Sequence, residues 1–218
     1  GTLRTEGNLT ASSVNNSKTV VIANGDSLTT QNGLDNTGTV IVRGDLTTQG
    51  DDAQVTNRDQ ATLALDGASV YSRVVNEAGG LIDIRSSSTI YGGSAQSGIN
   101  AFSASQLASV VNAGRIDLTN GGSSTSDTFT IKGNYTGQNG LLFVDTVLGA
   151  DASPSDKLVI DTGNASGSTG IVVNNVGGAG ASTVSDGIMV VQALNGATTA
   201  NGAFALNGRV AAGAYEYF

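Results

Sequence analysis

The stretch from Val14 to Val42, VNNSKTVVIANGDSLTTQNGLDNTGTVIV, contains one pattern twice. An aliphatic residue is followed two places later by Asn (Val14-Asn15-Asn16, Leu34-Asp35-Asn36). A small polar turn comes next, then a β-branched run (Val20-Val21-Ile22, Val40-Ile41-Val42), then a Gly-bearing turn. The pattern returns as Val55-Thr56-Asn57 before Leu63-Ala64-Leu65, and as Val74-Val75-Asn76 before Leu81-Ile82-Asp83-Ile84. A last clear copy is Val110-Val111-Asn112 before Ile116-Asp117-Leu118. Between positions 16, 36, 57 and 76 the Asn residues are 20, 21 and 19 apart, and the step from 76 to 112 is 36. That last step holds either a rung with an unrecognised Asn or a loop around Gly98 to Gln106.

A unit of about 20 residues cannot bury its own apolar face, so copies must stack. Strands that return to one place every turn build parallel sheets about 4.8 Å apart, with β-branched residues inside and Asn stacked at the bends. The pattern predicts an all-β, right-handed parallel β-helix. A leucine-rich repeat lacks its Leu scaffold here, a propeller needs about twice the period, and a membrane barrel needs longer strands with aromatic girdles.

The composition narrows the chemistry. The 218 residues include no His and no Cys, which excludes a Ser-His-Asp triad, a Cys nucleophile, an imidazole base and His/Cys metal sites. A net charge of −8, from 10 basic and 18 acidic residues, argues against nucleic acid and anionic membrane as partners. Apolar residues, at 39%, suffice for a core, and they come in short runs with no span long enough for a transmembrane helix. Gly1 begins no signal peptide, and Tyr215-Glu216-Tyr217-Phe218 ends within an alternating strand pattern, so the chain reads as a piece of something longer.

Past Gly121 to Asp127 the apolar runs lengthen: Phe129–Ile131, Leu141–Val144, Leu158–Ile160, Ile171–Val173 and Ile188–Val191. Seven of the ten aromatics lie there (Phe129, Tyr135, Phe143, Phe204, Tyr215, Tyr217, Phe218). A solenoid end exposes core and strand edges and needs a cap, for which large side chains and long hairpin-like strands are suited. We therefore divide the chain into rungs at 1–127 and a cap at 128–218, continuous in one stack. Asp145-Thr146-Val147-Leu148-Gly149, the segment Ser155-Asp156-Lys157-Leu158-Val159-Ile160, Ala165-Ser166-Gly167 with Ile171-Val172-Val173-Asn174-Asn175, Val190-Val191-Gln192 and Gly213-Ala214-Tyr215-Glu216-Tyr217 together resemble the autochaperone region of pertactin-like autotransporter passengers. The resemblance covers about residues 128–218, and the upstream rungs are similar to the family only generically. It implies a β-helical passenger carried to the bacterial surface by its own C-terminal outer-membrane β-barrel, and a cap that folds first. Absence of Cys agrees with passage of an unfolded chain through an oxidising periplasm.

Several residue groups are candidates for more specific roles. Arg43-Gly44-Asp45 is a cell-attachment triplet of the kind pertactin-like proteins carry. Against that, Asn24-Gly25-Asp26 falls at the same place one rung earlier and Asp66-Gly67 near it one rung later, so a tight turn explains Gly-Asp more simply and leaves Arg43 unexplained. Asp83 and Asp117 each point outward between apolar neighbours. In one column they would resemble the paired acids of a polysaccharide-cleaving β-helix, with Arg85 and Arg115 beside them; solvated charge guarding a sheet face is the simpler reading. Asp145, Asp151, Asp156 and Asp161 lack calcium-loop spacing, and Gly177-Gly178-Ala179-Gly180 lacks that of a phosphate loop. Asn134-Tyr135-Thr136 is an unsurprising Asn-x-Thr triplet in such a composition. Ser103 or Ser105 with Leu107, Val110 and Val111 could open a short helix, but Asn112 favours a strand.

The sequence thus predicts a non-enzymatic, cofactor-free, monomeric piece of a surface-displayed adhesin, with an unidentified host-cell or bacterial receptor. Its folding nucleus is placed at Leu141, Phe143, Val144, Leu158, Ile160, Ile188, Val190, Phe204 and Tyr215. A polysaccharide-cleaving enzyme and an Arg43-Gly44-Asp45 binding module are the alternatives.

Overall fold

A computed structural model of the chain describes residues 1–50, 52–92 and 109–218. Three parallel ladders wind together into a β-helix, and no α-helix occurs among the described residues. The first ladder stacks Thr2–Arg4, Thr19–Ile22, Thr39–Val42, Thr62–Asp66, Leu81–Ser86 and Arg115–Asp117. The third stacks Val14–Asn16, Leu34–Asn36, Gln54–Asn57, Arg73–Asn76 and Val110–Asn112. The first ladder is the strand of each repeat that hydrophobicity announces, and the third is the Val-x-Asn segment before the bend.

The second ladder is one that it does not. Asn8–Ala11, Ser27–Thr30, Asp45–Thr48, Ser69–Tyr71, Ser88–Tyr91, Thr128–Lys132, Lys157–Asp161 and Val191–Leu194 pair in order. Its upstream strands carry one large aliphatic residue each, flanked by Ser and Thr, so the segment after each first-ladder strand read as a turn. The trace in the sequence is the recurring Leu-Thr-Thr of Leu28-Thr29-Thr30 and Leu46-Thr47-Thr48.

Inward residues form columns through the stack. On the first ladder Val20, Val40, Leu63, Ile82, Ile116, Leu142 and Ile171 pair successively. On the second, Leu28, Leu46, Val70, Ile90, Ile131 and Ile160 do so. All but Val20 and Ile171 are fully excluded from solvent, and those two nearly so. At about 25 cal/mol per Å² of apolar burial, this axial core is what each rung lends its neighbour.

Asn76 pairs directly with Asn112, and Val74 with Val110, so no hidden rung lies within the 36-residue step. The extra length falls between Ser88–Tyr91 and Val110–Asn112, where residues 93–108 lie outside the described residues, as do Ser103, Ser105 and Leu107 of the alternative helix. Val110 and Val111 are strand.

The rung type changes downstream. Tyr135–Thr146 and Asn164–Asn175 are each 12 residues long and cross two faces without a break. The first half of Tyr135–Thr146 continues the third ladder from Val110–Asn112, and its second half continues the first ladder from Arg115–Asp117. A register shift between Gln138 and Gly140 turns the corner, with Asn139 in the left-handed region at φ 61°. These long strands are parallel; among the described residues of the cap, antiparallel pairing joins Val210–Ala212 to Tyr215–Tyr217, with an isolated antiparallel bridge between Thr146 and Ser155. Of the run Ile188–Val191, only Val191 enters a strand.

Candidate functional site: the joint between the asparagine ladder and the cap

Five asparagines form one buried column at the bend after the third ladder. Asn16 Nδ2 donates to Asn36 Oδ1, Asn36 to Asn57, Asn57 to Asn76 and Asn76 to Asn112, each at 2.8 Å. The second hydrogen of each amide goes to a first-ladder carbonyl one rung on: Thr39, Thr62, Leu81 and Arg115, at 2.9 to 3.2 Å. The oxygens of Asn16 and Asn36 also accept the amides of Lys18 and Gly38, closing the turn. Every amide thus points the same way, donating toward the C-terminal end. A buried amide without partners would cost about 1–3 kcal/mol, so the ladder fixes both the bend and the register of the rungs.

Gly137 stands where a sixth Asn would, in register with Asn112. A Cβ there would run into the hydroxyl of Thr169 and the Ser168 carbonyl. The ladder ends instead on Tyr135, whose hydroxyl lies 3.5 Å from Asn112 Nδ2 and 2.7 Å from Thr169 Oγ1. Tyr135 is fully buried, its ring stacked on Phe204 with centroids 5.6 Å apart. Burial pushes its hydroxyl above the ordinary tyrosine range, keeping it a neutral donor and acceptor. Sequence reasoning passed over Tyr135 and Thr169. The signal was present, because Tyr135-Thr136-Gly137 followed by Leu141-Leu142 repeats the spacing of Val-x-Asn before an aliphatic strand.

Two buried acids brace the next layer. Asp156 accepts the Asp127 amide on Oδ1 and the Asp145 amide on Oδ2, both at 2.9 Å, and its own amide returns to the Asp145 carbonyl. Burial pushes its carboxyl up to about 6, against the pull of those two N–H groups. Asp145 accepts Asn174 Nδ2 at 2.6 Å on Oδ1, while its Oδ2 is buried without a hydrogen-bond partner. Asp161 takes Asn195 at 2.6 Å and Lys132 at 3.5 Å. Asp151 accepts the amides of Val184, Ser185 and Gly187, which hold its carboxyl below the usual range. Among the described residues no three acids converge as metal ligands, and these four spend themselves on loops and amides.

The residues expected to nucleate the fold are divided by the pleat. Val144, Leu158 and Ile160 are fully buried in the axial core. Leu141 and Phe143 alternate with Leu142 and face outward, Phe143 under the Arg115 guanidinium at 3.6 Å. Ile188, Val190 and Phe204 are half-buried around a cavity of about 280 Å³ at the end of the lumen. Tyr215 is exposed in the terminal hairpin; Tyr217 instead closes it, accepting the Ala181 amide and donating to the Gly149 carbonyl.

Arg43-Gly44-Asp45 lies in the wall of the stack. The pairing is one residue off the alignment expected from sequence: Ser27 faces Asp45, and Asp26 lies beside Gly44. Gly44 does not take a positive φ as Gly25 does (79°). It is glycine because a Cβ would strike the Asp26 carbonyl oxygen and come within 2.6 Å of that of Ala23. Close approach of rungs, not turn conformation, demands it. Arg43 Nε meets Asp66 Oδ2 of the next rung at 3.0 Å, which accounts for the residue that turn geometry left over. The Arg43 and Asp45 amides bond to Ile22 and Asp26 below, and the Gly44 carbonyl to the Ser69 amide above.

Asp83 and Asp117 do share a column, as adjacent partners. Each carries its own ion pair, Asp83 with Arg85 at 2.8 Å and Asp117 with Arg115.

Residues 105–218 match the model of the family described as Autochaperone Domain Type 1, so the match begins upstream of the joint and includes Asn112. Over 111 residues the chain is 46% identical to the uncharacterized protein YuaQ of Escherichia coli strain K12, covering 51% of this chain and 8% of that protein. It is 47% identical over 93 residues to the adhesin BmaC autotransporter of Brucella suis, covering 40% and 3%. Against the autotransporter adhesin AIDA-I of Escherichia coli it is 41% identical over 95 residues, covering 43% and 7%. The matched part amounts to less than a tenth of each of these relatives.

Proposed function

The chain belongs to the type 1 autochaperone family of autotransporter passengers, and from that premise we propose that residues 128–218 order first and serve as the edge on which the upstream rungs wind. The observation that carries this is the pair of 12-residue strands, Tyr135–Thr146 and Asn164–Asn175, joined along their length. Each upstream rung must close three separate short strands against loop entropy before any pairing is gained. In the cap, one strand supplies the edge for two ladders at once. A rung adding to that edge needs only to dock, and the core columns and the asparagine ladder then propagate toward the N-terminus.

The role is mechanical and non-catalytic. It serves surface display of a longer passenger anchored by its own outer-membrane barrel and acting as an adhesin toward a host-cell or bacterial receptor. The adhesin names borne by BmaC and AIDA-I support that setting. The test is pulsed hydrogen exchange during refolding of the whole chain from guanidinium. Amides of 135–146 and 157–173 should gain protection before those of 14–76. Simultaneous protection, or the reverse order, would end the proposal.

A further inference from the structure

The amide ladder is polar along its length, and polarity requires a terminus of a particular kind. Each Asn side chain donates toward the next rung, so the last one, Asn112, needs an acceptor that the next layer holds in place. A further Asn cannot supply it, since Gly137 occupies that register position and has no room for a side chain. The acceptor is the Tyr135 hydroxyl, fixed by Thr169 Oγ1 at 2.7 Å and by the stack of its ring on Phe204. Thr169 belongs to the second long strand, so both strands of the cap contribute to this one atom's position.

Resting on the templating role proposed above, we infer that Tyr135, held by Thr169, is the positioning residue that sets the register of the first docking rung by presenting a pre-placed acceptor to Asn112. A rung slipped by one residue would turn Asn112 out of the column and bring Val111 or Ala113 against the hydroxyl, leaving Tyr135 with Thr169 alone and Asn76 Nδ2 without the Asn112 oxygen. Only the native register satisfies Asn112, and once it is placed its oxygen accepts Asn76, and so on up the stack. The contact from Asn112 is longer, at 3.5 Å, than the 2.8 Å links within the ladder. Its value lies in direction and in timing, as the first polar contact between cap and ladder.

The experiment is refolding and unfolding of the whole chain carrying Tyr135→Phe, which keeps the ring and its stack and removes the hydroxyl. Pulsed exchange should show protection of amides 110–118 delayed about tenfold relative to wild type, with protection of 157–173 unchanged and the unfolding rate unaltered. A purely structural hydroxyl would do the opposite, speeding unfolding and leaving refolding alone, and that result overturns the inference. Thr169→Val, with the Tyr135 ring and hydroxyl intact, should delay the same amides, and it serves as the test if Tyr135→Phe fails to fold. A wild-type chain whose ladder is protected before its cap sinks the templating proposal itself. Cap-first order with undelayed variants sinks this inference alone.

Discussion

Replacing Asn57 by Ala tests the ladder where it is most complete. Asn57 Oδ1 accepts Asn36 Nδ2 at 2.8 Å, and its Nδ2 donates to Asn76 Oδ1 at 2.8 Å and to the Leu81 carbonyl at 2.9 Å. Three short bonds are lost at about 1 kcal/mol each. Asn36 keeps the Thr62 carbonyl, but the Asn76 oxygen loses its donor inside a column closed to water, which adds about 1 kcal/mol or more. The expected loss is about 4 kcal/mol, a large share of the ~5–15 kcal/mol that holds a typical domain. With an m-value of ~4 kcal/mol/M in guanidinium, the midpoint should fall by about 1 M. Asn15→Ala is the matched control: the same residue type, exposed, one position from the ladder, with an expected effect within about 0.5 kcal/mol. Circular dichroism on guanidinium series of wild type and both variants gives the comparison. If Asn57→Ala moves the midpoint by under about 0.2 M, or no more than Asn15→Ala, the ladder is not what holds the bends.

Three further outcomes follow from the same geometry. Gly44→Ala should cost about 2–3 kcal/mol because its Cβ meets backbone of the rung below, while Gly25→Ala, in open space at φ 79°, should cost about 1 kcal/mol; guanidinium midpoints in the reverse order would contradict the close-approach argument. Burial raises the Asp156 carboxyl from 3.8 to about 6, so this group favours the fold below about pH 4, and that contribution, about 3 kcal/mol, is lost as pH rises from about 4 through 6. The stability of Asp156→Asn relative to wild type should therefore rise by about that amount between about pH 3 and pH 7, and a difference that stays flat across the window would refute it. Tyr217→Phe removes the hydroxyl that ties the terminal hairpin to Ala181 and Gly149, and should speed exchange at Ala181 and proteolysis of the 176–190 segment with little change in the midpoint for the whole chain.

The repeat and its consequence were legible in the chain itself. A 20-residue period with Val-x-Asn and a β-branched strand admits few ways to bury its aliphatics, and stacking into parallel ladders is the one that also places Asn at a recurrent bend. Periodicity is a local property, so sequence alone was enough to reach the solenoid, the aliphatic strand of each repeat, the Asn stack at the bends and the family resemblance. What it could not decide were matters of register and approach between residues 20 to 40 positions apart. Side chains in a strand alternate, so a one-residue uncertainty exchanges inside for outside; the apolar run Leu141–Val144 does not by itself say that Leu142 and Val144 face inward and Leu141 and Phe143 outward. The second ladder escaped notice because a strand with one aliphatic among Ser and Thr is held by its two neighbours more than by its own hydrophobicity. Gly44 looked like a turn residue until the rung below it supplied the carbonyl oxygens that exclude a side chain. Tyr135 looked like any buried aromatic. Only the stacking of three distant segments brings Asn112, Tyr135 and Thr169 to one point, because a hydrogen bond is specified by angstroms of separation in space, which spacing along the chain does not encode.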